Sequence, residues 1–187
     1  MRTLTVFNSV SLDGYFVDAH GDMSWAHQNP DAEWNEFVSG NAQGGGTLVF
    51  GRVTYQMMAS YWPSPMAIKN DPVVAQRMSA LPKVVFSRTL KKASWSNTTL
   101  VKDDMADAIR RLKKEPGDGM VILGSGTVVA ALTQARLIDE YQIVVIPIVL
   151  GAGRSMFEGV EKTPRFSLTS SRTFRNGNAL LCYQPQT

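Results

Sequence analysis

Three short turns hold the groups with which this chain could bind an anion: Gly51-Arg52-Val53-Thr54, Ser87-Arg88-Thr89 and Leu123-Gly124-Ser125-Gly126-Thr127. Each closes an apolar run, Val49-Phe50, Val84-Val85-Phe86 or Val121-Ile122, and two of the three open a helical pattern. Helix-start N–H groups, glycines that permit positive φ, and the hydroxyls of Thr54, Ser125 and Thr127 suit the diphosphate of a nucleotide. Ser87 and Arg88 set a hydroxyl beside a guanidinium, a pair suited to a phosphomonoester such as the adenosine 2′-phosphate of NADP. Taken alone, Gly124-Ser125-Gly126 is equally an ordinary strand-to-helix turn, since it lacks the longer spacing of a dinucleotide fingerprint. Arg88 alone is equally a solvated loop cation. Their occurrence together in one α/β pattern is what points to a nucleotide.

Other residues with chemical potential are sparser. Asp13 stands in Ser11-Leu12-Asp13-Gly14, where an Asp-Gly pair is also a turn former. In the run Tyr55, Met57, Met58, Tyr61 and Trp62, the helical spacing makes Met57 and Met58 core residues. Tyr61 and Trp62, beside Pro63 and Pro65, are better candidates for a pocket wall that covers a flat ring. His20 and His27 lie seven apart with no cysteine or third histidine nearby, so no metal site is expected. The single cysteine, Cys182, lies in an apolar run and reads as a packing thiol; no Gly-x-Ser-x-Gly elbow supports covalent catalysis.

The elements that must position these residues follow from pattern. Strands are expected at Thr3 to Val10, Thr47 to Phe50, Lys83 to Ser87, Met120 to Leu123 and Tyr141 to Leu150, with Pro147 marking a bulge in the last. Helices are expected at Asp31 to Val38, from Val53 to a stop at Trp62-Pro63-Ser64-Pro65, and from Asp71-Pro72 to Ala80. Two more run from an Asp103 or Asp104 cap to Lys114 and from Thr127 to Ala135. Gly44-Gly45-Gly46 reads as a flexible corner. Arg165 to Phe174 and Asn178 to Tyr183 flank Arg175-Asn176-Gly177, a strong hairpin signal. The result is a mostly parallel sheet with a C-terminal antiparallel hairpin, in which strand-to-helix turns collect along one edge.

The chain has 187 residues, 44% apolar and 19% charged, and reads as a single domain spanning 1–187. Its net charge of +3 is dispersed, so no nucleic-acid surface is expected. No apolar run reaches membrane-spanning length and the alternating N-terminus is unlike a signal peptide, so a cytoplasmic protein is expected.

The ordered set Ser11-Leu12-Asp13-Gly14, Gly51-Arg52-Val53-Thr54-Tyr55, Lys83 to Leu90, Gly124-Ser125-Gly126, Leu137-Ile138-Asp139-Glu140, Pro147 to Gly153 and Phe157 resembles the dihydrofolate-reductase-like superfamily. Within it the chain is most similar to the C-terminal reductase domain of bifunctional riboflavin-biosynthesis enzymes (RibD) and to stand-alone proteins like it. The resemblance implies a three-layer α/β/α fold, NADPH along the C-terminal edge of the sheet, a small-molecule substrate and a homodimer. It implies that Gly51, Arg52, Val53 and Thr54, together with Leu123 to Thr127, hold the diphosphate, and that Ser87 and Arg88, with Arg52, hold the 2′-phosphate. On the substrate side it implies Asp13 near the pocket, and by comparison with folate reductases it places Trp25 beside the substrate and an acid, Asp31 or Glu33, at the start of the first helix, with protonation expected from solvent or from a catalytic acid such as Asp13 or Asp31. Trp25 is not preceded by proline as in the folate enzymes, which sets dihydrofolate reduction in doubt. With no deaminase segment ahead of it, a separate reductase is expected in place of the complete bifunctional enzyme. The expected function is hydride transfer to a pterin-, pyrimidine- or flavin-precursor-like ring or to a carbonyl. The alternatives are a non-catalytic nucleotide-binding module on the same fold, and a binder of another nucleotide through its phosphates.

Overall fold

The computed structural model describes residues 1–43 and 46–186. In chain order the elements are β1 (Leu4–Ser11), β2 (Val17–Asp18), a 3-10 turn (Ser24–His27), α1 (Ala32–Gln43), β3 (Thr47–Gly51), α2 (Arg52–Tyr61), α3 (Pro65–Asn70), α4 (Pro72–Ala80) and β4 (Lys83–Phe86). They continue with β5 (Thr98–Val101), α5 (Met105–Lys114), β6 (Met120–Leu123), α6 (Gly126–Gln134), β7 (Glu140–Ile146), β8 (Gly153–Arg154), β9 (Phe166–Thr173) and β10 (Ala179–Pro185). The large sheet runs β5-β4-β3-β6-β1-β7-β10-β9. Its first six strands are parallel, and the hairpin β10-β9 is added antiparallel to β7. β2 and β8 pair in a separate ribbon.

The alternation of side chains along β3 shows why helices cover both faces. Val49 joins a core with Ile109 of α5 and Val128 and Leu132 of α6, whereas Leu48 and Phe50 join Tyr55 of α2 and Val74 and Met78 of α4. Burial on both sides is the condition under which parallel strands occur. Near the hairpin, Trp34 of α1 packs edge-on against Phe174 at 5.0 Å, in a cluster with Val144, Leu180 and the buried Cys182. The architecture is thus three-layered α/β/α, as the resemblance implies.

Several boundaries differ from the sequence pattern for physical reasons. The Trp62 to Pro65 stop ends α2 but also starts α3, because Ser64 accepts a cap hydrogen bond from the Ala67 N–H at 3.2 Å and Pro65 occupies the first turn. The Tyr141 to Leu150 strand ends at Ile146, since Pro147 has no N–H to continue the ladder. The edge strand β5 was not foreseen, nor was the two-residue ribbon, and α1 runs past Val38 to Gln43. Gly44 and Gly45 of the expected corner lie outside the described residues. The caps fall as expected at Asp71, which accepts from Val74 N–H, and at Asp104, which accepts from Asp107 N–H.

Lys83 anchors the start of β4, whose other end leads into Ser87 and Arg88. It is 1% exposed, and its ammonium donates to the carbonyls of Ser79, Leu81 and Ser96 at 3.0, 2.7 and 3.1 Å. Burial pushes its pKa from 10.5 down to about 8. The unfolded chain therefore holds this proton more tightly, and the group's contribution to stability rises with pH between the two values. Lys83→Met is expected to flatten that rise in urea unfolding measured from about pH 7.5 to 11.

Candidate functional site

All six parallel strands end on the same edge of the sheet, so the turns after β1, β3, β4 and β6 share that edge. The turns after β3 and β6 interlock. Ser125 Oγ accepts from Gly51 N–H at 2.8 Å and donates to Leu123 O at 3.3 Å, and Thr54 Oγ1 accepts from Ser125 N–H at 3.0 Å. Thr54 and Ser125 are buried at 8% and 7% exposure, so these hydroxyls, read from sequence as phosphate donors, instead join the two turns. The glycines serve the same closeness. A Cβ on Gly51 would lie 3.2 Å from Val128, one on Gly124 2.7 Å from Thr54, and one on Gly126 3.3 Å from the Phe16 ring.

What remains free is backbone. Neither α2 nor α6 is capped by a side chain, and the N–H groups of Val53, Gly126 and Thr127 have no acceptor among the described residues. Two helix N-termini, tied together by the Ser125 hydroxyl, present these donors with about half a positive charge each. That donor set fits a diphosphate. Thr127 is exposed at the rim, and Arg52, also exposed, donates to Gln56 Oε1 at 3.0 Å.

On the neighbouring strand, Ser87 Oγ accepts from the N–H groups of Thr89 and Leu90 at 3.2 and 2.9 Å, which shapes the loop after β4. Arg88 is exposed and has neither an ion pair nor a hydrogen bond among the described residues. The structure thus places Ser87 and Arg88 one strand away from the Gly51 turn, since β3 and β4 are paired with Gly51 opposite Phe86.

The acids are all engaged as acceptors. Asp13 takes the Ser11 hydroxyl at 2.6 Å and the N–H groups of Leu150 and Gly151 at 3.2 and 2.8 Å, tying the turn after β1 to the loop after β7. The Ser11 hydroxyl first, and then those backbone donors, lower its pKa from 3.8, which holds it ionised. A depressed folded pKa stabilises the protein above the unfolded value and ceases to do so as pH falls through the folded one. Asp13→Asn is therefore expected to lower Tm at neutral pH. The gap to the wild type should close as pH drops below 3.8, in melts followed by circular dichroism. Asp31 caps α1 by accepting Trp34 N–H at 2.7 Å. Glu33 pairs with Arg172 at 3.0 Å and accepts Arg175 N–H at 3.1 Å, and its pKa is lowered by the Arg172 hydrogen bond above all.

The aromatic candidates do not join the turns. Trp25 is 5% exposed, with its indole N–H on Asp22 O at 3.1 Å, so it is core beneath the β1 side. Tyr61 and Trp62 end a ten-residue helix that starts at the turns, roughly 15 Å along its axis. They sit at the opposite edge of the sheet, where Trp62 lines an open groove of about 930 Å³ with Trp95, Ile68 and Ala75. Met57, expected in the core, is 48% exposed, while Met58 packs against the cluster around Phe50.

Sequence reading passed over Asn8. Its signal was a polar residue in phase with the buried Leu4 and Val6 of β1; it is 4% exposed. Its carboxamide accepts from Gly124 N–H at 2.6 Å and donates to Gly124 O at 3.0 Å.

Comparison with known proteins places this arrangement. A proposed riboflavin biosynthesis protein from Shewanella sp. PV-4 superposes with a TM-score of 0.78 at 26% identity, covering 99% of each chain. A bifunctional diaminohydroxyphosphoribosylaminopyrimidine deaminase/5-amino-6-(5-phosphoribosylamino)uracil reductase from Thermotoga maritima shares the fold at a TM-score of 0.69 and 16% identity, over 99% of this chain and 57% of that one. In sequence the chain is 24% identical to the uncharacterized protein YyaP of Bacillus subtilis (strain 168), over 97% of this chain and 94% of that protein. The profile of the RibD C-terminal domain matches residues 2–180. A match of that span leaves only the chain's last few residues and its first outside it, and the protein belongs to the RibD C-terminal domain family.

Proposed function

We propose that this protein is an NADPH-dependent reductase that delivers a hydride to a small heterocycle of pterin, pyrimidine or flavin-precursor type, or to a carbonyl compound. The observation that supports it best is the pair of uncapped helix N-termini joined at Ser125, one strand away from an unpartnered Arg88. The family supports a reductase-like role. Bound dinucleotide supplies the hydride; the chain's residues supply position and charge. The amides of Val53, Gly126 and Thr127 hold the diphosphate, and Arg88 with Ser87 holds the 2′-phosphate. Leu12, Val53 and Val149, each about two-thirds exposed at 65%, 69% and 65%, offer apolar surface at the same edge for flat rings. With Asp13 and Asp31 both committed as acceptors, the proton comes from solvent.

That commitment of the acids also favours a second reading, a nucleotide-binding module without chemistry. NADPH oxidation stimulated by one member of a panel of pterins, pyrimidines, flavin precursors and quinones supports the reductase. Tight NADPH binding with no stimulated oxidation across the panel supports the module. A cytoplasmic homodimer is part of the same proposal, and the exposed eight-residue outer strand β9 is an open edge that a second copy could cover. Light scattering at twice the chain mass is the expected result.

A further inference from the structure

The ladder between β1 and β6 ends with Phe7 opposite Leu123. One residue further, Gly124 would face Asn8 across the same pair, yet the chain turns away: Gly124 and Ser125 take left-handed φ values of 61° and 59°. Gly124 is where a side chain takes over from the ladder. Its N–H and its carbonyl are both met by one side chain, the Asn8 carboxamide, at 2.6 and 3.0 Å, and the Asn8 amide also reaches Met156 Sδ at 3.1 Å. The amide orientation is dictated by chemistry, because only Oδ1 can accept the Gly124 N–H, and this turns Nδ2 toward two acceptors.

A carboxamide at a core-facing position costs stability unless it is fully bonded, so a hydrophobic residue would be the ordinary occupant beside Leu4 and Val6. Here the bonded side chain holds a backbone conformation that non-glycine residues such as Ser125 rarely adopt. From Gly124 the contacts run on through Ser125 to Gly51 N–H and Thr54 Oγ1 at the start of α2. We propose that Asn8 is a positioning residue of the two-helix anion site: its side chain fixes the Gly124–Ser125 turn and, through it, the relative placement of the free amides on α2 and α6. This rests on the reading of that site as the cofactor diphosphate site. Asn8 touches no ligand; it acts through the turn.

The test uses Asn8→Leu, which keeps the branching in a bulkier side chain and removes both bonds, and Asn8→Asp, which keeps the volume and the acceptor but turns an oxygen toward the Gly124 carbonyl. Calorimetric titrations with NADPH and NADH are paired with amide hydrogen exchange of the unliganded proteins, each well below its Tm. In both variants, NADPH and NADH should weaken together by tenfold or more, leaving their ratio unchanged. Exchange should quicken at Gly124, Ser125 and Gly51 but not in the β3-β4 ladder. Wild-type affinity with faster exchange only in step with global unfolding would overturn the proposal. If the wild type binds neither dinucleotide, the cofactor reading fails, and exchange at Gly51 decides whether Asn8 sets the two turns. Should Asn8→Leu not fold, Asn8→Asp and Asn8→Ser give the same comparison.

Discussion

Arg88→Ala should weaken NADPH roughly ten- to a hundredfold while leaving NADH within about twofold, the effect of removing one charge-assisted hydrogen bond worth about 1.5–3 kcal/mol. The expectation follows from position and from freedom. The guanidinium stands at the end of β4, one strand from the joined helix starts, and no acid or carbonyl among the described residues holds it elsewhere. Because it is exposed, its removal should leave Tm nearly unchanged, so the loss can be read as binding. Arg88→Lys should recover only part of the preference, since an ammonium cannot reproduce the planar fork that grips a phosphate at two oxygens. Equal losses for NADPH and NADH in calorimetry would remove Arg88 from the 2′-phosphate.

Gly124→Ala is expected to destabilise the fold by about 2–5 kcal/mol and to lower Tm by roughly 5–15 °C. Two separable costs combine. The residue sits at φ 61°, where a side chain costs about 1–2 kcal/mol, and the added methyl would lie 2.7 Å from Thr54 Cγ2 and 2.9 Å from its Oγ1. Thr54→Ser removes the nearer of those atoms and keeps the hydroxyl that accepts Ser125 N–H. The double variant Gly124→Ala, Thr54→Ser should therefore regain part of the steric loss and none of the backbone strain. Simple additivity of the two substitutions in denaturant unfolding would show that the contact does not matter.

Much of the fold was legible because its parallel strands are buried on both faces and read as apolar runs, while caps such as Asp71 and Asp104 mark helix starts chemically. The strand order was not legible. Nothing in Leu4 to Ser11 says that both of its neighbours come from beyond residue 119, because pairing partners are chosen by the whole sheet. β5 was missed since Thr98-Thr99-Leu100-Val101 is a half-buried edge too short to show alternation. At the site, the three turns and their shared edge came from pattern, but the engagement of the Thr54 and Ser125 hydroxyls with each other did not. That depends on how closely β3 and β6 approach, a distance visible only in space. Tyr61 and Trp62 fell at the far edge for a reason that simple geometry holds: a helix that leaves one edge of a sheet returns to the other.

The chain's first strand lies between its sixth and seventh, paired through Leu4 with Met120 and through Thr5 with Glu140. During synthesis, then, β1 emerges first and waits, with both of its edges open, until well over half of the protein has followed. Loop closure across such separations is slow, and a nascent apolar strand that waits is a template for wrong partners. The half formed by β3, β4 and β5 with α2 and α4 has no such dependence on β1 and can assemble while β1 is still unpaired. Between that half and β1 the sheet is closed only by β6, so its middle is held by contacts of long sequence separation.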